Sequence, residues 1–113
     1  MRKSDKKRDN ILRKVLTLVC ESALKDIQGF CWLTHIVNYD NFPKSLRIVC
    51  VFDSNADLDN YLLSDNNEYL QSIIASELSQ IDIKLDNITN QILFDTEENC
   101  AEQHQGNWSR RLA

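Results

Sequence analysis

The chain has only two glycines and one proline among its 113 residues. The P-loop and the dinucleotide-binding fingerprint both need several glycines, because the backbone must come close to a phosphate. Gly29 and Gly106 each follow a stretch of helical periodicity, so both are predicted to end helices. No glycine is left for a phosphate-binding loop, and the GXXG loop by which K-homology domains hold RNA is missing as well.

Paired cysteines of the C-x-x-C type are also missing. The four cysteines lie far apart in the sequence: Cys20, Cys31, Cys50 and Cys100. The first three sit in apolar runs, where a free cysteine behaves as a small hydrophobic residue. We therefore expect four reduced thiols. We expect no bound metal and no cofactor, because a structural zinc needs four ligands and no second local pair of ligands exists.

The sequence has no long hydrophobic run. None approaches the ~20 apolar residues of a membrane-spanning helix. The charged start MRKSDKKRDN leads into an amphipathic segment, whereas a signal peptide continues into a uniformly apolar one. These features predict a cytoplasmic protein without membrane contact, and a length of 113 residues favours a single domain over residues 1–113.

Charge is distributed unevenly along the chain. Residues 1–14, the basic start of the first predicted helix, carry a net charge of +5, whereas residues 15–108 carry −11. Arg110 and Arg111 make the C-terminal tail, residues 107–113, basic again. Because an acidic surface repels a phosphate backbone, contact with nucleic acid is predicted only at the two ends of the chain.

The first half of the chain predicts one helix and a hairpin. From about Asp5 to Gln28, apolar residues recur at spacings of three and four, as on one face of a helix. FCWLTHIVNY (30–39) and LRIVCVF (46–52) then alternate with the period of strands. A short turn around the single proline joins them, so we expect an antiparallel pair.

The second half predicts three helices and a further strand. One short helix follows Ser54, a second runs from about Glu68 to Ser79, and Thr96 is the expected N-cap of the last. NQILFD is the third strand, and IDIKL (81–85) could be a strand or an extended link. We therefore predict an α+β domain of order α-β-β-α-α-β-α. Its small, mainly antiparallel sheet of three or four strands is covered by helices.

Two cysteine–histidine pairs are candidates for a chemical site. Cys100 and His104 stand one helical turn apart near Glu97, but they are too few to hold a zinc ion. A Cys–His nucleophile could use that pair, or Cys31 with His35, if a cation or a helix N-terminus lowered the thiol pKa. Near Cys100 the charges are acidic, which has the opposite effect. Both pairs are interpreted as ordinary helix and strand residues.

Asp82 and Lys84 form a D-x-K stretch, with Asp53 upstream at the end of a strand. Metal-dependent nucleases use an acid and an acid-x-lysine pair to hold a cation and position water. In those enzymes the second acid lies on the next strand of one hairpin, whereas here two helices intervene. We interpret the three residues as surface positions, and no catalytic residue is predicted.

Two basic segments are candidates for contact with other molecules. The N-terminal candidates for binding nucleic acid are Arg2, Lys3, Lys6, Lys7 and Arg8. Phosphate contacts need such a cluster, although no aromatic residue is interleaved to stack on bases. The C-terminal candidates for contact with a partner are Trp108, Arg110 and Arg111. A tryptophan this close to a terminus also often packs on its own core.

The segments MRKSDKK, GFCWLTHIVNYDNFPKSLRIVCVFD, FDTEENC and GNWSRRL together resemble a family of short, uncharacterised bacterial proteins. Members of this family are often labelled Fis family transcriptional regulators, and the resemblance covers the whole chain. Fis-type DNA binding uses a C-terminal helix-turn-helix with a basic recognition helix. Here residues 85–108 contain His104 as their only basic side chain, so no Fis site residue carries over.

Taken together, these features favour a non-enzymatic cytoplasmic domain that binds a protein partner or associates with itself. The alternative is a nucleic-acid-associated transcriptional regulator that uses the basic N-terminal segment, and we expect such binding to be weak. No set of residues with catalytic spacing supports an enzyme.

Overall fold

The computed structural model describes residues 2–113, and over that range it contains six α-helices, one short 3-10 helix and three strands. In chain order these are α1 (Lys3–Asp26), β1 (Phe30–Ile36), the 3-10 helix (Tyr39–Asn41), β2 (Arg47–Phe52), α2 (Asn55–Leu63), α3 (Tyr69–Ser79), α4 (Ile88–Gln91), β3 (Ile92–Thr96), α5 (Glu97–His104) and α6 (Trp108–Arg111). The predicted α+β class is confirmed.

The three strands form one sheet in the order β1-β2-β3, with β2 in the centre. β1 and β2 make the predicted antiparallel hairpin, in which Leu33 is opposite Cys50. β3 joins the same sheet but runs parallel to β2, so the sheet is mixed rather than mainly antiparallel. A parallel neighbour requires a crossover connection, and the segment that contains α2, α3 and α4 provides it.

β1 begins at Phe30 as predicted, but it differs from the predicted strand in its end and in its register. It stops at Ile36 instead of Tyr39, because the chain turns into the 3-10 helix there. At its start the pairing register shifts between Phe30 and Trp32, as happens when a bulge inserts an extra residue into a strand. Phe30 therefore lies in the core opposite Phe52, on the other side of the sheet from Trp32.

The hydrophobic core lies on one face of the sheet. Ile48, Cys50 and Phe52 of β2 are fully buried there. α1 and α3 contribute the residues that their helical spacing predicts: Leu12, Leu16, Val19 and Ala23 from α1, and Leu70, Ile74 and Leu78 from α3. Within residues 2–113, no helix is both long enough and apolar enough to cross a membrane.

The opposite face of the sheet is covered at one end by α6. Trp32, Val51 and Asp95 are neighbours across the three strands on this face. The rings of Trp32 and Trp108 meet edge to face with their centroids 4.8 Å apart, and Arg111 forms a salt bridge with Asp95. The basic tail therefore packs on its own domain.

The link between α3 and β3 contains no further strand. IDIKL is irregular, and Asp82 takes a φ of 61° where the chain leaves α3. The single turn of α4 takes up Asn90 and Gln91, so β3 begins only at Ile92. Thr96 caps α5 as predicted, because its hydroxyl accepts a hydrogen bond from the amide of Asn99.

Candidate binding site

The basic N-terminal end is the predicted contact for nucleic acid. Arg2 is engaged within the chain, in salt bridges with Asp5 and Asp40. The guanidinium of Arg8 lies 5.4 Å from the ring centroid of Phe42. The other three candidates, Lys3, Lys6 and Lys7, are exposed. No lysine within residues 2–113 takes part in an ion pair. Three cations of the five thus point to solvent without a partner.

Of the C-terminal candidates, two are turned inward. The indole nitrogen of Trp108 donates to Oε1 of Glu97 at 3.0 Å, and the same oxygen accepts from Trp32 at 2.7 Å. Arg111 is held in its salt bridge to β3. Arg110 is exposed. Among the three, Arg110 is therefore the one whose side chain the domain does not cover.

Cys100, His104 and Glu97 do not assemble into a metal site. Cys100 is fully buried, and burial raises the pKa of its thiol. The Nδ1 atom of His104 accepts a hydrogen bond from Arg111 at 3.2 Å, while Glu97 binds the two indoles. Across residues 2–113, no group of three or more His, Cys, Asp and Glu side chains is arranged to hold a metal ion.

Cys31 and His35 do not form an activated pair either. Burial raises the pKa of the Cys31 thiol, and the nearby carboxylates of Asp53, Glu97 and Asp57 raise it further. A nucleophilic cysteine needs the opposite surroundings, because the thiolate is the reactive form. This pair therefore has the electrostatics of a structural thiol beside a structural histidine.

The nuclease-like residues are spread over two places. Asp82 and Lys84 lie on the irregular link that follows α3. Asp53 lies at the end of β2, and all three side chains are exposed. The arrangement agrees with their interpretation as surface positions.

His35 belongs to a polar cluster around Asp9, between α1 and β1. The Asp9 carboxylate accepts hydrogen bonds from Arg13 at 2.7 Å, from Nε2 of His35 at 2.9 Å and from the hydroxyl of Tyr39 at 2.7 Å. These bonds, and first the one from Arg13, hold the pKa of Asp9 far below its usual range. The hydrogen bonds from His35 and Tyr39 connect α1 to β1 and to the 3-10 helix that follows it, so the role of the cluster is structural.

The carboxyl ends of parallel strands often bind ligands in α/β proteins, but here the chain fills this place itself. β2 and β3 are each followed by a helix with a hydroxyl N-cap, Ser54 and Thr96. The backbone amide of Asn55, at the start of α2, donates to Oε1 of Glu98 at 2.9 Å. Because this carboxylate already occupies the positive end of α2, an anion would be repelled there.

A cavity of about 650 Å³ opens where the C-terminal end of α1 meets α2 and the start of α3. Ligand pockets typically measure about 300–1,000 Å³. Carboxylates, side-chain amides and two tyrosines form most of the lining: Asp26, Ile27, Gln28, Asp57, Asn60, Tyr61, Ser64, Asn66 and Tyr69. No lysine or arginine is among these residues.

The two carboxylates of the cavity have different surroundings. Asp26 accepts a hydrogen bond from the Tyr69 hydroxyl at 2.8 Å, which raises the pKa of Tyr69. No hydrogen bond or ion pair within residues 2–113 reaches the carboxylate of Asp57. Asp57 packs directly on Gly29, at a distance that leaves no room for a side chain there. Its charge is therefore available to a ligand.

The surroundings of the cavity are strongly negative. From residue 53 to residue 83 the chain carries seven Asp or Glu and no Lys or Arg. The C-terminal end of α1 adds the negative end of a helix dipole, with Lys25 as the one cation of that last turn, and the ring of Tyr69 can attract a cation. Beside the cavity, Leu63 is 86% exposed. This combination suits a positively charged side chain with an apolar stem.

Sequence reasoning missed this cavity because its residues come from three separate segments. Asp26 and Asp57 lie 31 positions apart, and each alone resembles an ordinary solvated acid. The one available signal was the long run without lysine or arginine.

In the comparisons with known proteins, the chain matches no protein-family model, no curated protein and no solved structure.

Proposed function

We propose that this protein is a non-enzymatic cytoplasmic domain that binds a protein partner, with the acidic cavity as its binding site. The observation that carries the proposal is the carboxylate of Asp57, which lines a 650 Å³ cavity and has no partner within the described residues. A buried or half-buried charge is stabilised by an opposite charge. The bound group is therefore a lysine or arginine side chain of the partner.

The rim of the cavity favours a polypeptide over a small cation. Leu62 and Leu63 are 39% and 86% exposed at the end of α2, next to Ser64 in the lining. Exposed apolar side chains around a polar centre are typical of protein interaction surfaces. A basic side chain can fill the cavity while its neighbours in sequence cover these two leucines.

The proposal is tested with tetralysine peptide titrated into the full chain by calorimetry at low salt. We expect Asp57→Asn to weaken binding about tenfold, since a charge-assisted hydrogen bond contributes about 1.5–3 kcal/mol and tenfold is 1.4 kcal/mol. Asp59→Asn is the matched control, because Asp59 lies on the same helix, is exposed and does not line the cavity.

A peptide whose four lysines are acetylated provides the second control, because it keeps the length and loses the charge. Equal weakening by Asp57→Asn and Asp59→Asn would mean that tetralysine senses only the overall negative charge. Binding that is unchanged in both variants would place the peptide elsewhere. Either result contradicts the proposed site.

A second candidate function is association with nucleic acid as a transcriptional regulator, in keeping with the family resemblance of the sequence. It is supported by Lys3, Lys6 and Lys7, which are exposed and have no acidic partner within residues 2–113. Lysines of this kind contact phosphates, which position a protein without reading the bases. Binding would therefore be non-specific.

This second candidate predicts a steep salt dependence for a 20-base-pair DNA duplex of arbitrary sequence. Three phosphate contacts give a log–log slope of about −2.7, so binding seen at low salt should vanish near physiological ionic strength. Replacing Lys3, Lys6 and Lys7 with glutamine should remove that slope. The charge-matched control replaces Lys14, Lys25 and Lys84 with glutamine, because these exposed residues are not among the candidate contacts. A sequence-specific complex that survives physiological salt would contradict this expectation.

A further inference from the structure

The basic residues of α1 stand at the wrong end of the helix for its own stability. Carboxylates are favoured near a helix N-terminus and cations near its C-terminus, each by about 0.3–1 kcal/mol. Here the first two turns carry four cations, Lys3, Lys6, Lys7 and Arg8, against two acids, Asp5 and Asp9. This placement is unfavourable in the isolated chain, and a negatively charged partner would remove the cost.

The basic residues at this end of the molecule form a positive pole. Arg8 of α1 lies against Phe42, and this contact joins the start of α1 to the loop between β1 and β2. At the end of the same loop, Arg47 donates to the carbonyl of Lys44. The pole consists of Arg2, Lys3, Lys6, Lys7, Arg8, Lys44 and Arg47. The acids Asp5, Asp40 and Asp86 only partly neutralise it.

The acidic cavity forms the negative pole at the other end of α1. The helix is 24 residues long, so its ends are separated by about 36 Å. This is several times the Debye length of about 8 Å at physiological salt. The two poles therefore cannot neutralise each other within one molecule, but they can do so between two molecules.

We infer that the protein associates head to tail, with the free lysines of α1 from one copy bound at the acidic cavity of the next. This rests on the proposed function, and it identifies the partner as a second copy of the same chain. Lys3, Lys6 and Lys7 supply the cations, and Asp26 and Asp57 supply the carboxylates. The positive charge at the start of α1 in one copy thus lies against the negative charge of the cavity in the next copy.

Apolar residues flank both surfaces. Leu62 and Leu63 are exposed beside the cavity. At the positive pole Ile36, opposite Arg47 in the hairpin, and Ile88, at the start of α4, are each 40% exposed. Since two different surfaces meet, the contact is heterologous. Such a contact can repeat to give rings or open chains.

The test is sedimentation velocity of the full chain over a range of concentrations at low salt and at high salt. We expect the wild type to sediment faster as its concentration rises at low salt, and to return to a monomer at high salt. Control variants that replace Lys14 and Lys84 with glutamine, or Asp59 with asparagine, change exposed residues outside both surfaces and should behave as the wild type does.

Two further variants each remove one surface. The basic-end variant replaces Lys3, Lys6 and Lys7 with glutamine, and the cavity variant replaces Asp57 with asparagine. At the concentrations where the wild type first associates, each alone should sediment as a monomer, because its contact is weakened at least about tenfold. Mixed in equal amounts they should form a dimer and nothing larger, because one intact contact remains between them. Recovery of association in the mixture also shows that both variants are folded.

Three outcomes would overturn this inference. A wild type that stays monomeric at low salt contradicts it, and so does a wild type that stops at a symmetric dimer. Association that is unchanged in both single-surface variants contradicts it as well. Tetralysine binding distinguishes failure of the self-association from failure of the proposed function. If tetralysine still binds at Asp57 while the chain stays monomeric, the proposed function stands and the partner is another basic protein. If neither occurs, both proposals fail.

Discussion

Replacing Gly29 with alanine is expected to lower the free energy of unfolding by about 3 kcal/mol and the melting temperature by roughly 12 °C. Gly29 has a φ of +83°, where an alanine is strained by about 1–2 kcal/mol. Its added Cβ would also lie 2.4 Å from the Cβ of Asp57. That atom cannot swing aside as the end of a long side chain can, so β1 or α2 must move.

The second glycine provides the control. Gly106 has a φ of +78° and nothing within 4 Å of the place where a Cβ would be. Gly106→Ala therefore tests the backbone strain alone, and we expect a loss of about 1 kcal/mol. Thermal and urea unfolding of both variants measure the difference. Equal losses would show that the contact between Gly29 and α2 contributes nothing to stability.

Asp9→Ala is expected to destabilise the protein by about 3 kcal/mol at neutral pH, because a buried donor left without an acceptor costs about 1–3 kcal/mol. The hydroxyl of Tyr39 and Nε2 of His35 both lose their acceptor in this variant. Arg13 is 68% exposed and finds water instead. Asp40→Ala is the control, since the Asp40 side chain is 83% exposed.

The contribution of Asp9 also depends on pH in a defined direction. Its pKa in the folded protein lies far below the unfolded value of about 3.9. A carboxylate with a lowered pKa stabilises the folded state above the unfolded pKa and loses that effect as the pH falls through the folded pKa. The stability difference between wild type and Asp9→Ala should therefore shrink as the pH falls below about 4. A difference that grew on acidification would contradict this.

The elements that depend on local sequence could be predicted, and those that depend on distant pairing could not. The apolar spacing of α1, the hairpin of β1 and β2, and the cap at Thr96 all follow from neighbouring residues. The parallel direction of β3 does not, because alternation with period two looks the same in either direction. The bulge near Phe30 was missed for a similar reason, since it is set by the partner strand.

The candidate site was hidden for a different reason. The sequence indicated charge by segment, and the basic start and acidic body were visible. It could not indicate that Arg2 is neutralised by Asp40 across 38 positions, or that Asp57 is left without a donor. Motif searches look for residues at fixed spacing, whereas this cavity is defined by the space between three helix ends.

The shared oxygen of Glu97 has a spectroscopic consequence. Trp32 and Trp108 are the two tryptophans of the chain, and both donate to that one atom. Indole emission from the whole molecule therefore reports on a single place, the contact of the C-terminal helix with the sheet. Circular dichroism at the same time averages over all the helices. Denaturation curves recorded by the two methods follow different parts of this protein, and their coincidence becomes a direct test of two-state unfolding.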